Sequence, residues 1–330
     1  IPLVDKAQGG DLLSRIKGVR KKLSKELGFL INSVHIRDDL ELSPNQYRIS
    51  LHDVVVGEGE VYPDRELAIN PGQGTSDLEG IQTKDPTFGL DAVWIDPSDR
   101  DEAQSLGCIV VDSSTVVATH LSQLLKNNAH KLISQDGVQE LLDKLASTSP
   151  KLVENLVPGL MTLAEVTRVM HNLLEEGIPI RDIRTIVGAL SDQNPGNRTP
   201  DDLTRMVRIA LGPAIYQTVN GTAPELNVMV LDSRLEQMLM QAVDSDGGGI
   251  EPTLIDGMIE QVGSVSGTME AAGTTPVLLV ASNIRSFLSR LLRGRMANFY
   301  ILAYEEVPAD KKVKVISTVG GANNAAIAGT

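Results

Sequence analysis

The sequence predicts a multi-subdomain fold that mixes α+β and α/β parts, and three observations carry that reading. An amphipathic helix followed by strand-like, β-branched stretches opens the chain. A run of helical periodicity fills its middle. Two continuous apolar stretches, each followed by a helix, mark the last third as a sheet of buried strands. The 330 residues exceed the ~100–200 of one domain. The expected division is 1–63 with 113–131 as a first α/β part, 64–112 as an acidic α/β insertion, 132–219 as a helical part, 220–319 as a C-terminal α/β part, and 320–330 as a small, polar, disordered tail.

The first helix follows from Leu12, Ile16, Val19, Leu23 and Leu27 at helical spacing, with Gly28 as its C-terminal cap. Its other face carries Arg15, Lys17, Arg20, Lys21, Lys22 and Lys25, read as a solvated surface. Strands are expected at 34–37, 47–51 and 54–61. Residues 64–112 hold three basic against eleven acidic residues, more than half of the chain's net charge of −13. Within them, strands are expected at 67–69, 92–95 and 108–111, a glycine-rich loop at 71–80 and a short helix at 99–106. Ser113 or Ser114 is the expected cap of the next helix, which carries Val116, Val117, His120 and Leu121.

Amphipathic helices are expected at 135–146, 162–176, 181–190 and 201–219. Thr162 and Glu165 have capping-box spacing. In the last part, strands at 226–231 and 276–281 are each followed by a helix (233–243, 283–292), with a further helix at 251–269. Strands at 298–304 and 312–319 complete the sheet.

Composition excludes several functions. The acidic balance does not suit a nucleic-acid surface, which needs clustered Lys and Arg. Cys108 is the one cysteine, so no intrachain disulfide forms and a reducing compartment is expected; in an apolar strand it reads as a buried, inert thiol. No run approaches the ~20 apolar residues of a membrane helix. The opening at Ile1 without Met, and with nothing resembling a signal peptide, is read as a piece of a longer protein. Gly57 and Gly59 lack the third glycine and the helix of a dinucleotide fingerprint. Asp244 and Asp246 precede Gly247–Gly249, but position twelve of that would-be calcium loop is Ile255 rather than Glu. The five histidines show no metal-ligand spacing, and Val265, not a serine, occupies the centre of the Gly263–Gly267 stretch. The expectation is therefore a protein that is not an enzyme and holds no metal or cofactor.

One loop stands out. Asp85-Pro-Thr-Phe88-Gly-Leu-Asp91 places one of four phenylalanines between acids in a segment punctuated by Pro and Gly. Such a ring either anchors a partner from a surface loop or folds inward as a plug.

These residues, with Arg15-Ile-Lys-Gly-Val-Arg-Lys-Lys22, Val34-His-Ile-Arg-Asp38, Leu67-Ala-Ile-Asn-Pro-Gly72, Ser114-Thr-Val-Val-Ala-Thr-His120, Pro179-Ile-Arg-Asp-Ile-Arg184, Val207-Arg-Ile-Ala-Leu-Gly212 and Pro276-Val-Leu-Leu-Val280, resemble the soluble domain of the type III secretion export-gate (FHIPEP) family, in its flagellar branch. The resemblance implies a thioredoxin-like first subdomain with a small α/β subdomain inserted into it, a helical third and an α/β fourth. It implies the cytoplasmic face of the bacterial inner membrane, a membrane half elsewhere in the protein, and self-association into a ring of nine copies. The implied partners are flagellar export chaperones with bound filament-type substrates, and other components of the export apparatus. The positions that the family uses to dock these complexes match Asp85, Phe88 and Thr119, with Ile69, Pro71, Leu90, Val111 and Val116 lining the same depression. Asp85 is expected on its rim, steering partners. An export gate of a virulence secretion system, or a purely structural ring element, are the alternatives.

Overall fold

The computed structural model describes residues 3–4, 10–70, 78–192, 198–244, 251–296 and 299–320. Pro71, the glycine run after Asp246 and the tail beyond 320 lie outside them. The chain divides into two compact units, Ile1–Leu141 with Gly177–Arg181, and Leu142–Glu176 with Asp182–Thr330.

In the first unit, α1 (Leu12–Leu27) ends at Gly28 in the left-handed region, φ 95°. Glycine is needed there twice over, since a Cβ would lie 2.3 Å from the backbone nitrogen of Arg181. A hairpin of β1 (Gln46–Leu51) and β2 (Val54–Glu60) follows. Four antiparallel strands then form a sheet: β3 (Glu66–Ile69), β4 (Ile81–Lys84), β5 (Asp91–Ile95) and, after the short α2 (Arg100–Ser105), β6 (Ile109–Asp112). Their order is β4-β5-β3-β6. The helix α3 (Ser113–Asn127) follows directly, with the short α4 (Ala129–Leu132) after it.

Side chains alternate across this sheet. Leu67, Ala92 and Trp94 face Leu12 and Ile16 of α1 and Val116, Val117 and Leu121 of α3. Ala68, Val93, Ile95 and Val110 form a second small core with Ala103 of α2, Leu78 and Cys108. The acidic segment thus supplies the sheet on which the first part of the chain packs its helices. Burial raises the Cys108 thiol pKa, which suits an unreactive side chain.

Gly57 and Gly59 of β2 have a packing reason. A Cβ on Gly57 would stand 2.5 Å from Leu124 Cδ1 and 2.9 Å from the His120 ring, and one on Gly59 2.7 Å from the Tyr47 hydroxyl. The two glycines leave room for the Tyr47 and His120 rings, which meet edge to face at 5.8 Å.

Three local expectations are corrected. Residues 34–37 form no strand; no neighbouring strand pairs with them, and Val34 packs sideways on the core. The cap of α3 is Asp112, whose carboxylate accepts from the Thr115 amide at 2.8 Å, while the Ser113 hydroxyl donates to the Tyr62 carbonyl. Helix 201–219 is two helices, described below.

The division between units falls within α5 (Gln135–Ala146). The second unit continues with α6 (Pro150–Glu154), α7 (Leu163–Glu175), α8 (Ile183–Ser191), α9 (Pro200–Ala210) and α10 (Gly212–Asn220). The capping box of Thr162 and Glu165 starts α7, and Thr199 with Asp202 builds a second one for α9. The chain breaks between α9 and α10 because Gly212 lets the Glu306 carbonyl approach to 2.6 Å of where a Cβ would stand, and Pro213 begins a new helix. The parallel sheet comprises β7 (Glu225–Leu231), β8 (Val277–Val280), β9 (Tyr300–Ala303) and β10 (Lys312–Val319), in order β10-β7-β8-β9. Helices α11 (Ser233–Asp244), α12 (Pro252–Ala271) and α13 (Ser282–Leu292) bury Leu235, Leu239, Met258, Val262, Ile284 and Leu288 against Met229, Leu231, Leu278 and Val280.

Four buried charges tie the helices of this unit to its sheet. Arg208 of α9 donates to both carboxylate oxygens of Glu306 at 2.6 Å and also bonds Glu176. Arg285 of α13 holds Glu176 at 2.7 and 2.9 Å. Burial alone would raise the Glu176 pKa, but Arg208 and Arg285 hold it below the usual carboxylate value. Truncating one member strands charge in the interior. The expected outcome for Arg208→Met is a loss of about 3–5 kcal/mol in the stability of the second unit, measured by chemical denaturation; a loss below about 1 kcal/mol would place these groups in contact with water.

Candidate functional site

The turn between β4 and β5 is closed from both ends. The Asp85 amide donates to the Leu90 carbonyl at 2.8 Å, and the Gly89 amide returns to the Asp85 carbonyl at 2.9 Å. Gly89 takes φ 71°, a conformation that disfavours a side chain. Within this turn Asp85 Oδ2 accepts from the Phe88 amide at 2.6 Å and the Thr87 amide at 3.1 Å. An aspartate capping its own following amides in this way fixes a turn without secondary structure. Outside it, Lys84 and Asp91 pair at 2.9 Å across the base of the hairpin.

Asp85 is therefore not a rim charge: it is 4% exposed. The carboxylate is buried because its hydrogen-bond capacity is turned onto the backbone, which lowers the cost of removing it from water. Phe88 is 64% exposed, so the ring projects outward and the plug alternative is discarded.

The remaining sequence-predicted residues separate into surface and core. Leu90, just before β5, is exposed and in phase with Ala92. Ala92 pairs with Ile69, and Ile69 with Ile109, so these residues share one face at one end of the sheet. Ile69 and Val111 are half-buried against the core. Val116 is 2% exposed and does not line a surface. It lies on the inward stripe of α3, where its neighbours are Leu67, Trp94 and Leu12. Thr119 is exposed on α3, one residue from His120. Pro71 lies outside the described residues. Ile109 is 56% exposed, an addition to the apolar strip that alternation along β6 could have revealed once Val110 was assigned inward.

A polar pair joins β1 to α3. The Tyr47 hydroxyl and His120 Nδ1 are 2.7 Å apart. The Asp85 charge acts on both groups. Burial lowers the His120 pKa, opposed by the Asp85 charge; burial, and then the same charge, raise that of Tyr47. Both shifts favour the neutral forms, and the ring tautomer sets which of the two groups donates. Among the described residues, no group of three or more His, Cys, Asp or Glu is arranged to hold a metal ion, and no helix is long and apolar enough to cross a membrane. The arrangement offers an exposed aromatic ring with aliphatic neighbours, a surface suited to binding.

A family model described as the FHIPEP family matches residues 1–312. The chain belongs to the FHIPEP family. It is 44% identical over 321 residues to the flagellar biosynthesis protein FlhA of Escherichia coli K12, covering 97% of this chain and 46% of that protein. The chain therefore spans about half the length of the curated FHIPEP relatives it matches. Its fold is shared with the Chlamydia pneumoniae CdsV protein, at TM-score 0.78 and 20% identity over 94% of this chain and 92% of the other. That protein is also known in a complex with CdsO. The nonameric SctV-C of EPEC has the same fold, at TM-score 0.71 and 22% identity over 94% of each chain.

The first unit should respond unequally to substitution in this FHIPEP turn. Phe88→Ala should leave stability within about 0.5 kcal/mol, as for exposed positions generally. Asp85→Ala should cost about 1–3 kcal/mol by stranding the amides it caps. Denaturant unfolding of both variants checks this, and equal losses would contradict the capping role. Because His120 is neutral in the fold and its pKa is depressed, the unfolded chain takes up a proton first as pH falls below about 6.5. Stability contributed by the neutral ring is present above that pH and drains below it, so unfolding midpoints should fall with pH there, and less so in His120→Asn.

Proposed function

We propose that the chain is a cytoplasmic docking platform of the flagellar type III export gate, binding export chaperones with filament-type substrates and helping to order their export, without catalysis. The observation that carries this reading is Phe88, held outward at the tip of a turn whose every backbone constraint runs through Asp85. An aromatic ring kept in water by a built turn suits a contact made with another molecule. Ile69 and Ile109, opposite each other on the sheet, and Leu90 support an extended apolar surface, and in this reading the exposed Thr119 of α3 gives it a polar edge.

The magnitudes fit a reversible dock. Covering about 300 Å2 of apolar surface at about 25 cal/mol per Å2 yields several kcal/mol gross, most of it offset by the entropy of association. The 44% identity to the flagellar biosynthesis protein FlhA of E. coli supports the flagellar branch. The nonameric assembly of SctV-C and the CdsV–CdsO complex support a ring of nine copies that also meets other apparatus components. In this reading the chain keeps the family's four subdomains, thioredoxin-like, inserted α/β, helical and α/β, at the cytoplasmic face of the inner membrane.

Calorimetric titration with a purified flagellar filament chaperone–substrate complex tests the proposal. Binding in the micromolar range is expected for the wild-type chain, weakened at least about tenfold in Phe88→Ala, the loss expected for an aromatic anchor. Equal binding by both proteins would remove Phe88 from the site, and no binding by the wild type would remove docking.

A further inference from the structure

The parallel sheet of the second unit ends on one side at β10, which pairs with β7 and, among the described residues, with no other strand. The far end of β10 is covered: Val319 is buried, and the Gly320 amide donates to Gln261 of α12 at 2.8 Å. The near end is open. Lys312, Val313, Lys314, Val315 and Ile316 are all exposed, so both faces of the strand meet water there as well as its edge. An open edge that carries three aliphatic side chains is a template for pairing with another chain.

The register sorts these side chains by chemistry. Val313 and Val315 pair with Leu226 and Val228, both buried, so they carry a core strip of β7 out into solvent on one face. Lys312 and Lys314 pair with Glu225 and Asn227 and stand on the other face. Lys311 is held by Asp310 at 3.2 Å, whereas Lys312 and Lys314 form no ion pair with a described residue. Lys312 also borders a groove of about 870 Å3 between α10 and the connection into β10, walled by Pro213, Tyr216, Pro224 and Pro308. The open edge thus begins at a groove with room for the end of an incoming segment. It stops at the register shift between Val315 and Ser317, where a bulge breaks the ladder.

We propose that the Lys312–Ile316 edge of β10 is a docking edge that takes an extended segment of another protein as an added strand, its aliphatic residues against Val313 and Val315 alternating with acidic residues against Lys312 and Lys314. This edge lies in the second unit, and the inference does not rest on docking at the Phe88 turn.

In strand addition, backbone hydrogen bonds supply affinity and the alternate side chains supply specificity. At about 3.3 Å per residue, the open stretch matches a segment of about five residues. A second copy of the same edge fits poorly, because pairing two β10 strands would bring the lysines of both copies together, and like charges across a strand pair are destabilising. The charge that keeps copies apart selects an acidic partner. In a chain of net charge −13, a basic edge also gives such a segment a place to land on a surface that otherwise repels it.

Titration of the whole chain with a synthetic peptide alternating valine and glutamate, read by fluorescence anisotropy and hydrogen exchange, tests the inference. Binding is expected, with slowed exchange confined to β10. Methylating the peptide's backbone nitrogens on the pairing side should abolish binding by removing the donors of the added strand, and methylating those on the other side should not. The double variant Lys312→Glu with Lys314→Glu changes exposed side chains and should fold as the wild type does. It should bind the glutamate peptide at least about tenfold more weakly and gain affinity for a peptide alternating valine and lysine. No binding by the wild type, equal binding by the double variant, or binding indifferent to methylation would each overturn the inference. Slowed exchange at 312–316 that grows with protein concentration in the absence of peptide would make the occupant a second copy, and would overturn it as well.

Discussion

The Asp85 carboxylate is the constraint on which the candidate surface depends. One oxygen fixes two successive amides, the residue's own amide and carbonyl close the turn, and the exposed Phe88 ring follows as a consequence. The charge tolerates burial because it is hydrogen-bonded to the chain. The β4–β5 register then fixes where the turn stands, and pairing of β3 with both β5 and β6 brings Ile69 and Ile109 to the same face.

Periodicity made most elements legible. Helix α1 with its Gly28 cap, the capping box of α7 and the continuous apolar strands β7 and β8 each carried a local signal strong enough to read. Strand β4 did not, since Ile81-Gln-Thr-Lys84 has little hydrophobic content and owes its conformation to pairing with β5. The stretch 34–37 shows the reverse case: β-branched residues without a partner strand stay irregular. The break at Gly212 was hidden because its cause, the Glu306 backbone, lies far along the chain.

The site was legible in its residue types and not in their roles. A Pro/Gly-punctuated loop with a lone aromatic marks a surface feature, but the same letters suit an aspartate on the rim or one buried beneath the turn. Only the hydrogen bonds decide. Val116 has the composition of a surface aliphatic and the helical phase of a core residue, and the phase wins. Gly57 and Gly59 suggested a nucleotide loop to be rejected; their reason is the space taken by Tyr47 and His120. The charge cluster of Glu176, Arg208, Arg285 and Glu306 joins residues up to 130 positions apart, beyond any local pattern.

The docking reading is tested most directly by a hydrogen-exchange footprint of the chain with and without a filament chaperone–substrate complex. The account predicts slowed exchange confined to 81–91, the start of β6 at Ile109 and the Thr119 turn of α3. A footprint on the second unit alone, with the Phe88 turn exchanging as freely as before, would contradict it.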